Sequence, residues 1–302
     1  MISYETEPTI DLGKFSHEEA FSRSVGWFTP DELASLREKR VAIPGMGGVG
    51  GHHLMNLVRM GVGKFRIADM DVFEVGNFNR QAGASMNSVN RAKTDVMKEM
   101  ALAINPEAEI EVFPDGVHET NIDTFLDGVD LVADGLDVFV IDIRVKLFEE
   151  AHRRGIPVIT AAPLGMGTSI LAFNPKGMSF NEYFRLDLAG MTESEKMLQF
   201  IVGISPKFLQ RSYLVYPEIM DLKEKRVPSL PMGCVLASGT LVSFGAKILL
   251  GRGPNLWAPR GLHYDAYRNK AVRFYRPGGN GHPLNRLILS ILKRQYLKDP
   301  SV

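Results

Sequence analysis

Apolar and polar positions in the first half of the chain form short apolar runs that alternate with amphipathic stretches. The runs Arg40–Pro44 and 64–69 have the length and composition of buried strands. Between them lie a glycine turn at 45–51 and a stretch with helical periodicity from about 49 to 60. A strand, a turn, a helix and a strand within about 30 residues predict a βαβ unit and therefore a parallel sheet.

The same alternation continues downstream of this unit. The pattern predicts helices at about 93–103 and 138–154, and strands at 108–113, 130–134 and 157–161. Helices that alternate with strands cover both faces of a sheet in known architectures. We therefore predict an α/β fold with a Rossmann-like, doubly wound sheet.

The second half of the chain is less regular. Residues 176–232 contain charged helical pieces, which we interpret as an insertion or crossover over the sheet. The most apolar stretch, Val235–Gly251, is short for a membrane span and is interrupted by Lys247, so we predict a buried helix of a soluble protein. Strand-like patches at 262–275 and an amphipathic helix at about 284–296 follow.

Composition narrows the class of protein. The 302 residues include 35 Lys and Arg against 35 Asp and Glu, so the formal net charge is zero. This balance gives no global argument for nucleic acid or for an anionic membrane as partner. The single cysteine, Cys234, excludes an internal disulfide and a four-cysteine zinc site, and it favours a reducing, cytoplasmic compartment. The N-terminus is acidic without an apolar run, so we expect no signal peptide.

A glycine-rich motif follows the first predicted strand. The sequence Gly45-Met-Gly47-Gly48-Val-Gly50 has the spacing G-x-G-x-x-G at the start of a helix. Such a loop lets the backbone approach phosphates, which bind its amides and the positive end of the helix dipole. Asp69 ends the next strand, where a carboxylate accepts hydrogen bonds from ribose hydroxyls. These residues predict a nucleotide site without specifying the nucleotide.

Two cations and a further carboxylate favour a triphosphate over a dinucleotide. ATP brings about four negative charges and usually Mg²⁺, which require added cations and a carboxylate. Arg80 and Lys93 are placed to contact the phosphates from the loop and from the next helix. Asp134 ends a strand at the edge where open α/β sheets bind ligands.

These motifs together resemble the ubiquitin-activating (E1-like) superfamily, which includes bacterial adenylyltransferases of the ThiF, MoeB and HesA types. The resemblance rests on Lys93 and on the runs GMGGVG, IADMDVFEVGNFNRQ and LVADGLD. It covers about residues 23–174 strongly and 231–251 more loosely.

The resemblance implies an α/β fold with a Rossmann-like, doubly wound mixed sheet of the E1-like type, and also a domain division and a set of site residues. It implies a single E1-like adenylyltransferase domain over 1–302, with a nucleotide-binding half at about 23–175, the crossover at 176–232 and a C-terminal part at 233–302 that completes the sheet. The implied cofactor-binding residues are Gly45, Gly47, Gly48, Gly50, Asp69, Asp71, Asn77, Arg80, Gln81 and Lys93. The implied catalytic residues are Arg80, Lys93, Asp134 and Arg23, with Asp134 as the Mg²⁺ ligand and Arg23 reaching the partner's ATP site.

The activity implied by the resemblance is carboxylate activation. A C-terminal carboxylate of a ubiquitin-like or sulfur-carrier protein, or of a peptide, attacks the α-phosphate of ATP, releases pyrophosphate and becomes an acyl adenylate. The resemblance also implies Mg²⁺ and a homodimer with composite sites, and no membrane partner. Many members carry zinc-binding cysteine pairs, which this chain lacks, so we expect no zinc. Residues 176–232 contain no cysteine, and we expect Cys234 to be a buried hydrophobe, so the chain is predicted to act without its own catalytic cysteine.

Three alternatives stay open at this point. Some E1-like enzymes adenylate a carboxyl group on a modified tRNA base, and the basic, aromatic stretch 252–276 is compatible with RNA. An NAD-dependent oxidoreductase would use the glycine motif and Asp69 but would leave the run 77–81 and Lys93 without a purpose. A non-catalytic scaffold would keep the fold without needing Arg80 or Lys93.

Overall fold

A mixed β-sheet of eight strands forms the centre of the molecule. The computed structural model describes residues 14–187, 190–216, 227–253 and 255–296. The strands are β1 (Arg40–Pro44), β2 (Lys64–Ala68), β3 (Glu109–Phe113), β4 (Leu131–Asp134), β5 (Val158–Leu164), β6 (Gly167–Phe173), β7 (Arg260–Asp265) and β8 (Lys270–Tyr275). They lie side by side in the order β3-β2-β1-β4-β5-β6-β7-β8.

Helices precede, connect and follow these strands. They are α1 (His17–Ala20), α2 (Pro30–Glu38), α3 (Gly50–Arg59), α4 (Lys93–Leu102), α5 (Ile122–Leu126), α6 (Ile141–Arg153), α7 (Phe180–Phe184), α8 (Glu193–Ile204), α9 (Pro231–Leu249) and α10 (Pro283–Tyr296). Thr29 caps α2 through a capping box with Glu32, which fixes the chain direction just before β1.

The sheet has a parallel half and an antiparallel half. β1 to β5 pair in parallel, whereas β6, β7 and β8 continue the sheet with antiparallel pairings. β1 lies between β2 and β4. The chain passes from β1 to β2 and β3 on one side of β1, and then continues with β4 and β5 on the other side. Such a switch point opens a crevice at the carboxyl ends of the strands, where ligands of open α/β sheets bind. The predicted α/β fold with a mixed sheet is confirmed.

Helices cover both faces of the sheet. α3 and α9 pack on one face, where Leu54 and Leu241 join the core with Ile159 and Ile170. α5, α6, α7 and α8 pack on the other face in a second apolar cluster that includes Phe148. Within the described residues, α9 alone is long and apolar enough to cross a membrane. Its contacts with β5, β6 and α3 identify it as a core helix, as the sequence predicted.

The structure differs from the sequence prediction at the start of α6 and at β6. α6 begins at Ile141, so residues 138–140 lie in a loop and not in the predicted helix. β6 was not predicted, and it pairs antiparallel with β5 through a tight turn at Gly165. The predicted crossover at 176–232 contains α7 and α8, while its residues 188–189 and 217–226 lie outside the described residues. The division of the chain into functional parts stays a prediction.

Candidate nucleotide site

The glycine loop joins β1 to α3 and lies against the end of β4. Gly45 has a φ of +88°, and a Cβ there would lie 2.4 Å from the carbonyl oxygen of Gly135. A Cβ on Gly50 would lie only 1.8 Å from the carbonyl oxygen of Gly45. Both positions therefore require glycine because the backbone of the loop folds onto itself and onto Gly135. This packing aims the start of α3 at the switch point of the sheet.

Asp69 follows β2 and holds the glycine loop in place. Its Oδ2 accepts a hydrogen bond from the amide of Met46 at 2.6 Å, and its Oδ1 accepts one from the amide of Asp71 at 2.9 Å. The side chain of Asp69 is only 10% exposed. Asp69 thus lies at the position predicted for a ribose ligand and also links β2 to the loop.

Lys93 begins α4 and points towards the same edge of the sheet. Its Nζ lies 2.8 Å from Oδ2 of Asp71 and 4.0 Å from Oδ1 of Asp69. The Lys93 side chain is 7% exposed, whereas that of Asp71 is 64% exposed. Solvent therefore reaches the Asp71 carboxylate of this ion pair. A bound phosphate would compete with the Asp71 carboxylate for the ammonium group of Lys93.

Arg80 and Gln81 lie over the glycine loop. A Cβ placed on Gly48 would be 3.8 Å from the Arg80 side chain, and one placed on Gly47 would be 3.8 Å from Nε2 of Gln81. The Oε1 atom of Gln81 is buried without a hydrogen-bond partner among the described residues. The structure therefore brings together the loop, one cation and an amide with an unsatisfied oxygen, as expected for a polar site that a ligand completes.

The segment that carries Arg80 is held by local hydrogen bonds. The Arg80 guanidinium donates to the carbonyl of Gly76 at 3.0 Å and to Oδ1 of Asn79 at 2.9 Å. Nε2 of His52, on α3, lies 3.1 Å from the Arg80 carbonyl oxygen. Oδ1 of Asn77 accepts from the amide of Glu74, so the predicted triphosphate contact Asn77 also caps a 3₁₀ turn.

Asp134 ends β4 in a buried ion pair. Its Oδ2 lies 3.1 Å from Nε of Arg144 and accepts from the Thr160 hydroxyl at 2.7 Å, while its Oδ1 accepts from the amide of Leu136 at 3.1 Å. Asp134 is 4% exposed. Both oxygens are engaged by the protein, so the Mg²⁺ role of Asp134 stays a prediction.

Asp137 is the exposed carboxylate of the same segment. It lies three residues after Asp134, in the loop between β4 and α6, and its Oδ1 accepts from the amide of Phe139 at 3.1 Å. The sequence analysis assigned Mg²⁺ to Asp134 and predicted that the next helix begins at about residue 138, so it gave Asp137 no role. The described residues contain no group of three or more His, Cys, Asp or Glu side chains arranged to hold a metal.

Cys234 lies directly beside the glycine loop, which the sequence did not predict. A Cβ on Gly48 would be 3.4 Å from Sγ of Cys234, and Oγ of Ser229 lies 3.8 Å from the sulfur. Burial raises the pKa of the Cys234 thiol above its ordinary value. A thiol held neutral in this way is a poor nucleophile. The side-chain Nδ2 of Asn79 also donates to the Ser229 carbonyl at 3.0 Å, so the residues just before α9 are attached to the Arg80 segment.

Arg23 lies on a 3₁₀ turn, Ser22–Ser24, near the N-terminus. Its side chain is exposed and makes no hydrogen bond or ion pair within the part of the chain that the structure describes. Trp27, four residues later, is 82% exposed. Arg252, just after α9, donates to Glu32 of α2 at 2.7 Å and to the Trp27 carbonyl at 3.0 Å, so this segment lies beside the C-terminal end of α9.

Comparisons with known proteins agree with the class that the fold and the site define, the E1-like activating enzymes. The chain is 34% identical over 151 residues to a tRNA threonylcarbamoyladenosine dehydratase of Haemophilus influenzae, across 50% of this chain and 57% of that protein. It is 32% identical over 133 residues to a sulfur carrier protein adenylyltransferase of Thermus thermophilus, across 44% of this chain and 48% of that protein. The chain thus spans about half the length of these relatives.

Solved structures share the fold at lower identity. PaaA superposes with a TM-score of 0.65 at 15% identity, covering 90% of this chain and 77% of PaaA. MccB of Escherichia coli, solved with ATP, gives a TM-score of 0.62 at 17% identity, covering 85% of this chain and 70% of MccB. The ThiF family pattern matches residues 21–283 of this sequence. The chain belongs to the ThiF family.

Proposed function

We propose that the chain is an ATP-dependent adenylyltransferase that activates a carboxylate as an acyl adenylate. The observation that carries the proposal is the position of Arg80 and Gln81 over the glycine loop at the switch point of the sheet, with Lys93 beside Asp69, the residue that holds the loop. A nicotinamide dinucleotide requires the loop and Asp69 but has no triphosphate for these two cations. The ThiF family membership and a structural neighbour solved with ATP support the choice of nucleotide.

The reaction requires no group of the protein to form a covalent bond. An oxygen of the substrate carboxylate attacks the α-phosphorus of ATP, and the bond between the α-phosphorus and the α,β-bridging oxygen breaks. Pyrophosphate leaves and the acyl adenylate remains. The loop amides, Arg80 and Lys93 would stabilise the negative charge that develops on the phosphate oxygens. Asp69 would orient the ribose while it keeps the loop fixed through the Met46 amide.

Mg²⁺ is part of this proposal, and Asp137 fits it better than Asp134. Mg²⁺ prefers oxygen ligands and keeps several waters, so one exposed carboxylate beside the phosphates is sufficient protein ligation. Asp137 is exposed, whereas both oxygens of Asp134 are engaged by Arg144, Thr160 and a backbone amide. The ion would neutralise phosphate charge. Asp134 would orient the loop that carries Asp137 through its hydrogen bond with the Leu136 amide.

Two carboxylate substrates are supported by the relatives. A C-terminal carboxylate of a sulfur-carrier or ubiquitin-like protein, or of a peptide, is the first candidate, because a relative at 32% identity is a sulfur carrier protein adenylyltransferase. A carboxyl group on a modified tRNA base is the second, because a relative at 34% identity is a tRNA threonylcarbamoyladenosine dehydratase. Neither case would use Cys234 as acceptor, because it is buried and its pKa is raised. The acyl group of a protein or peptide would pass to an external acceptor and release AMP, whereas the activated carboxyl group of a tRNA base would be attacked by a group of the same base, which closes a ring and releases AMP. A cytoplasmic location remains part of the proposal.

A homodimer with composite sites is proposed from the placement of α9. The N-terminal end of α9 lies beside the glycine loop, and its C-terminal end lies beside the segment that carries Arg23. A helix of 19 residues is about 28 Å long. The exposed stripe of α9 consists of small and apolar residues, which suit close helix packing: Met232, Val235, Gly239 and Ser243. Antiparallel packing of two copies of α9 would place Arg23 of each subunit near the other subunit's loop.

Pyrophosphate exchange tests the proposed function. We expect the purified protein to be stabilised by Mg-ATP and not by NAD, and to exchange labelled pyrophosphate into ATP when a sulfur-carrier protein or tRNA is supplied. Arg80→Ala and Lys93→Ala should each lower the exchange rate by about 10²- to 10³-fold. Arg91→Ala is the matched control, because Arg91 lies in the same segment but pairs with Glu99 on the surface. Stabilisation by NAD alone, or equal exchange in all variants, would contradict the proposal.

Mixing experiments test the dimer. Arg23→Ala and Arg80→Ala proteins should each be inactive alone. The first lacks the arginine that would reach the partner's nucleotide site, and the second lacks the arginine that would contact the phosphates in its own site. Mixed in equal amounts and allowed to exchange subunits, they should recover up to about a quarter of the wild-type activity, because about half of the dimers are then heterodimers and each heterodimer has one intact site of two. A monomer by light scattering, or no recovery after subunit exchange, would exclude composite sites.

A further inference from the structure

The β7–β8 hairpin has one buried face and one exposed face. His263 and Asp265 of β7 and Phe274 of β8 point inward and are buried. The outer positions alternate with these and are paired across the two strands: Arg260 with Tyr275, Leu262 with Arg273, and Tyr264 with Ala271. α9 lies over β4, β5 and β6 on this side of the sheet, and beyond it Tyr264 is 36% exposed and Tyr275 57% exposed.

This exposed face is positively charged in a chain whose net charge is zero. Four cations of the hairpin are exposed. Arg260 and Arg273 lie on the outer face, whereas Lys270 is opposite the inward-pointing Asp265. Arg268 lies in the turn, where its guanidinium donates to the Leu209 carbonyl at 3.2 Å. The only carboxylate between residues 260 and 275 is Asp265, which is fully buried and accepts a hydrogen bond from the Tyr213 hydroxyl at 2.8 Å. The surface of the hairpin therefore carries about four positive charges without a compensating acid, which suits a polyanion.

Aromatic rings are interleaved with these cations. The Arg260 guanidinium lies 4.5 Å from the centre of the Tyr275 ring, and Arg273 lies between Tyr275 and Tyr264 in the register of the hairpin. Unstacked bases of RNA stack on tyrosine rings and on arginine planes, while the same cations reach phosphates. A protein partner would favour aliphatic side chains at the centre of its contact, yet the aliphatics here are Ala271 and the half-buried Leu262.

The hairpin also has a suitable position relative to the nucleotide site. β7 runs in the same direction as β5, because both pair antiparallel with β6. The turn between β7 and β8 therefore lies at the edge of the sheet that carries the glycine loop. Three strand spacings separate β4 from β7, which is about 14 Å. Tyr264 lies near that end of β7, whereas Arg260 and Tyr275 are paired at the opposite end of the hairpin, so a strand bound along the outer face would run towards the edge that carries the glycine loop.

We propose that the outer face of the β7–β8 hairpin binds a single-stranded or looped segment of RNA and presents it to the nucleotide site. The inference rests on the second substrate candidate, a carboxyl group on an RNA base, and it adds the surface that would recognise it. Arg260 and Arg273 would bind phosphates, and Tyr264 and Tyr275 would stack on bases.

Binding of fluorescently labelled, unfractionated bacterial tRNA to the full chain tests this proposal. We expect Arg260→Ala/Arg273→Ala to weaken binding at least about tenfold and to reduce the slope of log K against log salt by about 1.4, as expected when two phosphates of a single strand are released. Tyr264→Ala and Tyr275→Ala should each weaken binding by about five- to a hundredfold, and Tyr275→Phe should retain it. Arg286→Ala/Arg294→Ala removes two exposed cations from α10 and is the charge-matched control.

Stabilisation by Mg-ATP separates this inference from the proposed function. All these variants should keep the wild-type shift in melting temperature with Mg-ATP, because none of the substituted residues lies at the glycine loop. Intact Mg-ATP binding with no tRNA binding by the wild type would overturn the RNA surface and leave the adenylyltransferase standing. Equal tRNA binding by the hairpin and α10 variants would also overturn it. Loss of binding to a sulfur-carrier protein in the hairpin variants, with tRNA binding unchanged, would assign the face to a protein partner.

Discussion

The guanidinium of Arg144 lies 3.1 Å from the carboxylate of Asp134, and both side chains are almost fully buried, at 2% and 3% exposure. Arg144 comes from α6 and Asp134 from β4, so the pair joins the helix to the end of the strand that forms the nucleotide site. The Arg144 guanidinium also donates to the Leu136 carbonyl at 2.6 Å. The pair thus fixes the backbone of the loop that presents Asp137.

Removing Arg144 is expected to destabilise the fold. Arg144→Met would leave Asp134 as a buried charge without a partner, which typically costs about 3–5 kcal/mol of unfolding free energy. Asp134→Leu/Arg144→Met removes both charges and should cost less than Arg144→Met alone. Urea denaturation of the three proteins measures these costs. A double variant that is no more stable than the single variant would show that the ion pair is not the source of the loss.

Variants of Asp134 and Asp137 should differ in their effects on Mg-ATP binding and on the stability of the fold. Asp137→Asn should leave the urea midpoint unchanged and weaken Mg-ATP binding by at least about tenfold, because it removes the exposed oxygen ligand proposed for Mg²⁺. Asp134→Asn should lower the stability of the fold. At temperatures where this variant is folded, its affinity for Mg-ATP should be closer to that of the wild type than the affinity of Asp137→Asn is. Isothermal titration at several Mg²⁺ concentrations checks both. The reverse order of effects would restore the Mg²⁺ role originally predicted for Asp134.

The parallel half of the fold was predictable because its elements have strong local signals. β1 and β2 are short apolar runs, and the glycine turn between them is unambiguous. The start of α6 was placed three residues too early, since the apolar residues 138–140 continue its pattern, yet they lie in a loop. The sequence analysis does not predict β6 because Gly167–Phe173 follows β5 after a two-residue turn. All seven residues of β6 are buried, including Thr168 and Ser169, so the strand has no alternation of apolar and polar positions.

The site was predictable only where chemistry follows from a motif. The glycine spacing and the positions of Asp69, Arg80 and Lys93 specify a phosphate site through the resemblance to known sequences. Asp134 on β4 and Arg144 on α6 are ten residues apart in the sequence. Hydrophobic periodicity predicts the strand and the helix, but it does not predict which of their polar side chains are in contact. The position of Cys234 next to Gly48 depends on a contact across more than 180 residues, which no local pattern shows.

Adding a methyl group to the glycine loop is expected to disrupt it. A Cβ at Gly50 would lie 1.8 Å from the Gly45 carbonyl oxygen, which is backbone and has no alternative rotamer. Gly50→Ala should therefore cost at least about 2 kcal/mol of unfolding free energy and abolish the Mg-ATP shift. Gly253→Ala is the control, because no atom lies within 4 Å of a Cβ there. Thermal melts with and without Mg-ATP measure both effects, and a normal Mg-ATP shift in Gly50→Ala would contradict the role of the loop.

Replacing the one cysteine is expected to leave the first half-reaction intact. Cys234→Ala removes a buried sulfur beside the loop and should cost about 1 kcal/mol of stability, while pyrophosphate exchange stays within about twofold of wild type. The reason is that burial raises the thiol pKa, so no thiolate is present near neutral pH. Exchange assays and mass spectrometry of the intact protein after reaction check this. An acyl adduct on the wild type that is absent from Cys234→Ala would show that the cysteine accepts the acyl group.

Buried histidines should make the fold sensitive to acid. Complete burial lowers the pKa of His53 to about 3, and burial lowers that of His263 to about 4. The ring nitrogens of His263 have no hydrogen-bond partner among the described residues, whereas the backbone of Asp134 faces His53 and opposes part of the effect of burial on its pKa. An unfolded histidine has a pKa of about 6.5, so below this pH the unfolded chain binds protons that the folded chain does not. Stability is therefore full above pH 6.5 and falls as the pH drops towards the folded pKa values.

The size of this loss follows from the linkage relation. Between pH 7 and pH 5 each buried histidine should lower the unfolding free energy by about 2 kcal/mol. His53→Leu removes one of the two groups and should reduce the pH 7 to pH 5 difference by about that amount. His118→Leu is the control, because His118 is exposed in the loop after β3. Urea denaturation at both pH values measures the differences. An unchanged pH dependence in His53→Leu would mean that His53 is protonated in the folded protein, and that the base of α3, beside the glycine loop, is open to water.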